Sequence, residues 1–158
     1  MKLNTFLYLS LMLALPFLGI VTSVNAQGTE LKWYGFEQAM ELAEEQDKPI
    51  MVDVWAPWCG WCKKMKKEVY PELAETLGKD FVLTRLNRDD NQDKTNYKQF
   101  RLTPLRLAQK FGVQSVPATV FLSPKGEYLF HISGFMEADE LKEVLGYVVW
   151  GQTENLVR

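Results

Sequence analysis

Cysteine and histidine are scarce in this sequence of 158 residues, and neither sign of charge prevails. The two cysteines, Cys59 and Cys62, are too few for a disulfide scaffold or a four-cysteine zinc site. The only histidine, His131, alternates with apolar neighbours and is interpreted as a structural or surface residue rather than a metal ligand. Eighteen basic and 20 acidic side chains give a net charge of −2, so nucleic acid is not an expected partner.

The amino-terminal residues 1–26 have the composition of a secretory signal peptide. Lys2 gives a short positive start, residues 6–20 are nearly unbroken apolar sequence, and residues 24–26 suit a signal peptidase. The alternative is an uncleaved anchor, because the apolar run almost reaches the roughly 20 residues that span a bilayer. We expect cleavage, which leaves residues 27–158 as one domain in the periplasm or another extracytoplasmic, oxidising compartment.

Hydrophobic periodicity predicts an α/β fold for the mature chain. No repeat, low-complexity run or Gly/Ser linker divides it, and 47% hydrophobic residues supply a core. The predicted order is helix, strand, helix, strand, helix, hairpin, helix, with Pro71 expected to end the second helix and open another. The segments are helix 35–46, strand 50–55, helix 63–70, strand 81–86, helix 105–111, hairpin strands 118–122 and 128–132, and helix 138–150. This order indicates a sheet with helices on both faces.

The two cysteines lie three residues apart between a predicted strand and a predicted helix. A thiolate at a helix amino terminus faces unpaired N–H groups and the positive end of the helix dipole. Such cysteines can have pKa values of about 3.5–7.5, and the four lysines that follow within residues 63–67 add positive potential. A second cysteine one turn later can attack a mixed disulfide and release its product. The pattern favours redox catalysis.

Three other interpretations of the cysteine pair remain open at this point. A purely structural disulfide is weak, because so short a loop restricts the unfolded chain little. Two thiolates can bind soft copper, although no nearby Cys or His completes a zinc site. The third alternative is a chance spacing.

The sequence from Val52 to Lys63, Val-Asp-Val-Trp-Ala-Pro-Trp-Cys-Gly-Trp-Cys-Lys, resembles the active-site signature of the thioredoxin superfamily. The likeness continues through residues 85–87, 111–119 and 134–136, and covers nearly the whole mature chain. It is nearest to secreted thioredoxin-like reductases, such as the carboxy-terminal domains of transmembrane thiol-disulfide interchange proteins. The resemblance implies a thioredoxin-like fold with a central mixed β-sheet and helices on both faces.

The resemblance also implies roles for individual residues. Cys59 would be the exposed attacking thiol and Cys62 the buried resolving thiol. Asp53 matches the buried acid that moves the proton of the resolving cysteine, and burial would raise its pKa; the alternative is a solvated residue at a strand end. Arg85 stands where the family usually has lysine, and it would hold Asp53 ionised more firmly.

Substrate-binding residues are implied on both sides of the cysteines. Pro117 matches the family's cis-proline, which presents the backbone of Val116 to an extended substrate. Trp58, Gly60 and Trp61 lie beside or between the cysteines. Trp61 replaces the proline that is usual in thioredoxin, and this exchange leaves the reduction potential open.

The resulting hypothesis is an exported, monomeric thiol-disulfide oxidoreductase without metal or other cofactor. It would reduce protein disulfides and take electrons from a membrane thiol-disulfide relay. A disulfide oxidase or isomerase, and a non-catalytic copper- or client-binding module, are the alternatives. Residues 91–104 exceed the equivalent thioredoxin connection; we interpret them as a packed excursion rather than a partner-binding surface.

Overall fold

A five-stranded mixed sheet organises residues 30–156, the part of the chain that the computed structural model describes. The strands in chain order are β1 (Trp33–Tyr34), β2 (Ile50–Trp55), β3 (Val82–Asn87), β4 (Thr95–Tyr97), β5 (Phe100–Leu102), β6 (Ala118–Leu122) and β7 (Tyr128–Ser133). The sheet order is β1-β3-β2-β6-β7, and β4 pairs with β5 separately. Strand β3 pairs parallel with β1 and β2, whereas β6 pairs antiparallel with β2 and β7. The predicted mixed sheet is confirmed; the signal-peptide prediction lies outside the described residues.

Helices cover both faces of this sheet. They are α1 (Phe36–Gln46), α2 (Gly60–Lys64), α3 (Tyr70–Glu72), α4 (Ala74–Asp80), α5 (Pro104–Lys110) and α6 (Ala138–Leu156). Buried side chains of α1 and α5 pack on one face, and those of α3, α4 and α6 pack on the other. Among residues 30–156, no helix has both the length and the apolar character needed to cross a membrane.

Successive side chains of β2 point alternately into two hydrophobic cores, one on each face of the sheet. Val52 and Val54 point into the core beneath α1 and α5, whereas Met51 points into the core beneath α3, α4 and α6. Asp53 shares the face of Met51, because residues two apart on a strand lie on the same side. A carboxyl group therefore enters the core on the side of the helix that follows the cysteines.

The helical run after Cys59 differs from the prediction at Pro71. The run passes from α2 through a π-helical turn, Met65–Val69, into α3 without a gap. Pro71 lies within α3, and the break comes at Leu73, which has φ −101° and ψ 14°. Proline cannot donate the helical N–H, and the widened π turn directly before it accommodates that missing bond. The prediction of two helices is confirmed, but their boundary was placed two residues too early.

Residues 91–104 form a short hairpin, β4 and β5, that packs against α1. Tyr97 is buried between Phe36 and Phe111, and its hydroxyl donates to the carbonyl of Gly126 at 3.0 Å. Glu37 accepts the Asn96 N–H at 2.6 Å, which lowers the pKa of its carboxyl. The packed excursion is therefore the correct interpretation of this part of the hairpin. The sequence analysis missed its strands and the two-residue strand β1.

Candidate active site

Cys59 and Cys62 form a disulfide at the start of α2, with their Cα atoms 5.3 Å apart. Cys59 is the residue that caps the helix: its Sγ accepts the backbone N–H of Cys62 at 3.1 Å. An N-cap position gives a sulfur at least one of the otherwise unpaired N–H groups of the first turn. The same geometry favours a negative charge on Cys59 once the disulfide is reduced.

Both cysteines are nearly buried, which was expected for Cys62 but not for Cys59. Cys59 is 4% exposed and Cys62 is 2% exposed, in a small apolar cluster with Ala56. The expectation of an exposed Cys59 is therefore wrong for the disulfide form. The partly buried side chains of Trp55 and Val116 complete this cluster and limit access to the sulfurs.

Asp53 is buried on the sheet face that packs against α3, with 1% of its surface exposed. Its Oδ2 accepts hydrogen bonds from Arg85 at 2.7 Å, and its Oδ1 accepts one from the Tyr70 hydroxyl at 2.9 Å. Burial raises the pKa of the Asp53 carboxyl, and the two partners offset only part of that rise. The alternative of a solvated Asp53 is excluded, and the predicted ion pair with Arg85 is present.

Tyr70 belongs to this network, although the sequence analysis did not identify it. It is 1% exposed, and its ring lies 5.5 Å from that of Trp33. Burial raises the pKa of its phenol well above the ordinary value, and the neighbouring Asp53 carboxylate acts in the same direction. The hydroxyl therefore keeps its proton near neutral pH and remains a hydrogen-bond donor. The sequence signal that could have identified Tyr70 is its polar hydroxyl on a helix face that is otherwise apolar.

The backbone beside the cysteines is shaped by two loops. The Val116–Pro117 peptide bond is cis, as the resemblance implied, and Val116 packs on the cysteine cluster. Gly134, at the end of β7, donates its N–H to the carbonyl of Pro117 at 2.8 Å. Its φ of 107° lies in a region that side chains disfavour. Glycine at this position therefore lets the chain after β7 approach the proline loop.

Exposed aromatic side chains surround the disulfide. Trp58 is 66% exposed and Trp61 is 58% exposed, and a Cβ added at Gly60 between them would meet no atom within 4 Å. The indole N–H of Trp58 donates to Asp89 Oδ2 at 2.6 Å. The ring of Trp61 lies 5.0 Å from that of Phe135. The predicted binding residues thus border the cysteines together, on an open surface.

Two further contributors to this surface were missed. Lys64 Nζ lies 4.7 Å from the ring centroid of Phe135 and 5.6 Å from that of Trp61, within cation–π range. Lys64 also approaches Glu137 at 3.8 Å. The sequence signal that could have identified Phe135 is the pair Gly134-Phe135, which is part of the family resemblance.

The potential metal ligands are His131, the acidic side chains and the two cysteines. Residues 30–151 contain no group of three or more Cys, His, Asp or Glu arranged to hold a metal ion. The ring of His131 is engaged with the Tyr128 hydroxyl, 2.9 Å from its Nδ1. It is half-buried on β7, which agrees with the structural interpretation given to it.

A redox-active cysteine pair at the start of a helix, together with a buried carboxyl on a mixed sheet of this order, is typical of the class of thiol-disulfide oxidoreductases. The family model described as "Thioredoxin-like domain" matches residues 36–149. The chain belongs to this thioredoxin-like family.

Individual relatives agree with that assignment. A thioredoxin of Alicyclobacillus acidocaldarius is 31% identical over 114 residues, which are 72% of this chain and 90% of the relative. The thiol:disulfide interchange protein DsbD of Photorhabdus laumondii is 27% identical over 120 residues, but these are only 19% of that longer protein. A solved thioredoxin from Thermus thermophilus, 24% identical, aligns with a TM-score of 0.60 over 75% of this chain and 86% of that one, which supports the fold.

Proposed function

We propose that this protein is an exported reductase of protein disulfides. The observation that carries the proposal is the hydrogen bond from the Cys62 N–H to Cys59 Sγ at the start of the cysteine helix. In the reduced protein this N–H stabilises a Cys59 thiolate, which attacks one sulfur of a substrate disulfide. The substrate disulfide breaks, a Cys59–substrate disulfide forms, and the other substrate sulfur leaves as a thiolate that takes a proton from water.

Asp53 acts in the second step, the release of the substrate. The Cys62 thiol transfers its proton to the Asp53 carboxylate, and the resulting thiolate attacks Cys59 Sγ. The mixed disulfide breaks, the Cys59–Cys62 disulfide forms, and the second substrate sulfur leaves as a thiolate. A carboxyl whose pKa is raised by burial suits this role, because it binds a proton more readily than an ordinary carboxyl does. Two electrons have then passed from the protein to the substrate.

The substrate binds across the open aromatic surface as an extended segment. Trp58 and Trp61 supply exposed ring area, Gly60 leaves open space between them, and Val116, next to Pro117, packs against the cysteine cluster. Contact with this surface orients the substrate before exchange. The surface is supported by the proximity of its exposed rings to one another and to the cysteines, because contiguous exposed apolar patches mark interaction sites.

Export and the electron donor complete the proposal. Residues 1–26 direct secretion and are removed, so the protein works in an oxidising compartment such as the periplasm. A reductase in that compartment requires a supply of two electrons and two protons for each turnover. A membrane thiol-disulfide relay is the donor we propose, supported by the similarity to a segment of the interchange protein DsbD. Cell fractionation with mass determination of the amino terminus tests export: we expect a periplasmic chain that begins at Gln27.

Reduction of insulin by dithiothreitol tests the catalytic proposal directly. We expect the wild-type protein to accelerate insulin precipitation and the Cys59→Ala variant to give the uncatalysed rate. Equal rates for the two proteins would refute the proposal. The direction of electron flow is tested by equilibrating the Cys59–Cys62 couple with dithiothreitol. A potential near the roughly −270 mV of thioredoxin supports a reductase, whereas one near −120 mV identifies an oxidase.

A further inference from the structure

A single polar row crosses the sheet face that carries the cysteine helix. The Cα register places Arg85 on β3, Asp53 on β2 and Thr119 on β6 directly opposite one another. Opposed residues on neighbouring strands point to the same face. The next row on that face is apolar and buried throughout: Leu83, Met51 and Phe121. Three polar side chains in one row are therefore a local exception within an apolar core.

The two oxygens of Asp53 have different partners. Oδ2 faces two guanidinium nitrogens of Arg85, Nε and Nη2, both at 2.7 Å. Oδ1 accepts only from the Tyr70 hydroxyl. Guanidinium groups donate and cannot accept, so a proton placed on Oδ2 would meet only donors. When Asp53 takes up a proton, Oδ1 is the oxygen that can hold it.

A protonated Oδ1 needs an acceptor, and Tyr70 can serve as one. A phenol oxygen donates one hydrogen bond and also accepts, but its own O–H must then point elsewhere. Thr119 Oγ1 is the single buried side-chain oxygen or nitrogen without a hydrogen-bond partner among the described residues. The Thr119 hydroxyl lies within hydrogen-bonding reach of the Tyr70 phenol and acts to lower the pKa of that phenol, against the larger rise that burial causes. The unpartnered oxygen thus lies where the rotated Tyr70 hydroxyl requires an acceptor.

We propose that Tyr70 and Thr119 form a two-position hydrogen-bond switch that stabilises Asp53 in both of its protonation states. With Asp53 ionised, the Tyr70 hydroxyl donates to Oδ1 and Thr119 Oγ1 accepts no hydrogen bond. With Asp53 protonated, Oδ1–H donates to the Tyr70 oxygen, and the Tyr70 hydroxyl donates to Thr119 Oγ1. The phenol keeps its own proton throughout. Tyr70 and Thr119 are positioning residues, and their catalytic value rests on the proposed role of Asp53 as proton acceptor for Cys62.

Other groups around Asp53 do not provide this second arrangement. Arg85 on β3 and Lys66 in the π-helical turn are cations that favour the ionised carboxyl only. The two cysteines do not titrate while they form the disulfide. In the oxidised protein, the titration of Asp53 is therefore measured without theirs. This form also folds without substrate or electron donor, which makes the test independent of turnover.

The test is a carbon-13 NMR titration of the Asp53 carboxyl in the oxidised mature protein, residues 27–158. Thr119→Val removes the second acceptor at nearly constant shape, and we expect Asp53 to bind its proton about threefold to tenfold less tightly, as for one lost hydrogen bond. Thr119→Ser keeps the hydroxyl and should restore the wild-type titration. Thr84→Val is the matched control, since Thr84 is also buried in the sheet but its hydroxyl donates to the Tyr34 carbonyl at 2.9 Å.

The switch also predicts a dependence between its two members. In a Tyr70→Phe background, Thr119→Val should leave the Asp53 titration unchanged, because Thr119 acts only through the phenol. An unchanged or higher proton affinity in Thr119→Val alone, or an equal effect in both backgrounds, would overturn the proposal. The pH profile of substrate release is measured separately. If Thr119→Val moves the Asp53 titration and not that profile, the switch stands and the proposed role of Asp53 in release fails.

Discussion

Two nitrogens of the Arg85 side chain lie 2.7 Å from a single carboxylate oxygen of Asp53, within an otherwise apolar sheet face. The two residues are opposite each other in the parallel pairing of β2 and β3. The guanidinium also lies 4.8 Å from the ring of Trp55 and 5.4 Å from that of Trp33. Arg85 is thus fixed by ring faces as well as by the carboxylate, which a flexible ammonium group would not reproduce.

Arg85→Lys tests this fixed arrangement. Lysine keeps the charge but replaces the two nitrogens of the guanidinium fork with one ammonium nitrogen, and it loses the planar contact with the tryptophans. We expect the pKa of Asp53 to rise further and the free energy of unfolding at neutral pH to fall by about 1–2 kcal/mol. Carbon-13 NMR of the carboxyl and urea unfolding measure the two effects. Arg101→Lys, on the exposed strand β5, is the matched control and should change neither.

Asp53→Asn tests the effect of the raised pKa on stability. The folded-state pKa of Asp53 lies above its ordinary value of 3.8, so the folded protein holds this proton longer than the unfolded chain as pH rises. The wild type therefore loses stability between about pH 4 and the folded-state pKa, after which the loss is constant. Asparagine does not titrate, so the variant should gain stability relative to wild type over that interval. Urea unfolding across pH 3–8 measures the difference; a constant difference, or one of opposite slope, contradicts the prediction.

Serine variants test the roles of the two sulfurs. Cys62→Ser should accumulate a mixed disulfide between Cys59 and an oxidised client, because the resolving thiol is absent. Cys59→Ser should trap almost none, since Cys62 lacks the N-cap position at which a backbone N–H stabilises a thiolate. Non-reducing electrophoresis after brief exposure to the client detects the adduct. Equal trapping by both variants, or trapping by Cys59→Ser alone, reverses the assignment.

Trp61→Ala tests the aromatic surface as a binding site. Loss of an exposed ring that packs on Phe135 should lower kcat/KM for a protein disulfide about fivefold to tenfold, mainly through KM, as for a moderate interface contact. The reduction potential is measured on the same sample, which distinguishes an effect on substrate binding from an effect on the cysteine couple. Tyr147→Ala is the control, because Tyr147 is 65% exposed on α6 and lies outside the site. Equal losses in both variants would show that the surface has no specific role.

Tyr97→Phe tests the packed interpretation of residues 91–104. The change removes the hydrogen bond to the Gly126 carbonyl and leaves that carbonyl without this partner, which should lower the free energy of unfolding by about 1 kcal/mol. Reductase activity at a temperature where both proteins are folded should not change. A loss of activity without a loss of stability would indicate instead that the hairpin binds a partner.

The sequence predicted those parts of the fold that depend on local periodicity. Strand β2 has the predicted bounds, residues 50–55, and the hairpin of β6 and β7 differs by a single residue. Strand β1 was missed because two residues carry no periodic signal, and its pairing with β3 depends on chain that lies 50 positions away. The break at Leu73 was missed because a π turn depends on packing rather than on composition.

Site residues that belong to a sequence motif could be predicted. Residues that join the site only through contacts in the folded chain could not. Cys59, Cys62, Asp53 and Pro117 follow from spacing and family likeness. Tyr70 reaches Asp53 from 17 residues away, and Thr119 becomes its neighbour only through the antiparallel pairing of β2 and β6. The burial of Cys59 could not be predicted from the sequence either, because it depends on how Trp55 and Val116 pack around it.

The tip of the β4–β5 hairpin offers a position for a reporter group. Tyr97 anchors the hairpin beside Gly126, in the turn after β6, whereas the cysteines lie at the opposite end of that strand. Five strand residues separate these ends, a distance of about 15 Å at the usual rise per residue. Lys98 and Gln99 are exposed at the tip, and lengthening a surface loop costs little. A short epitope inserted between them would allow immobilisation of the protein with its redox centre facing solution.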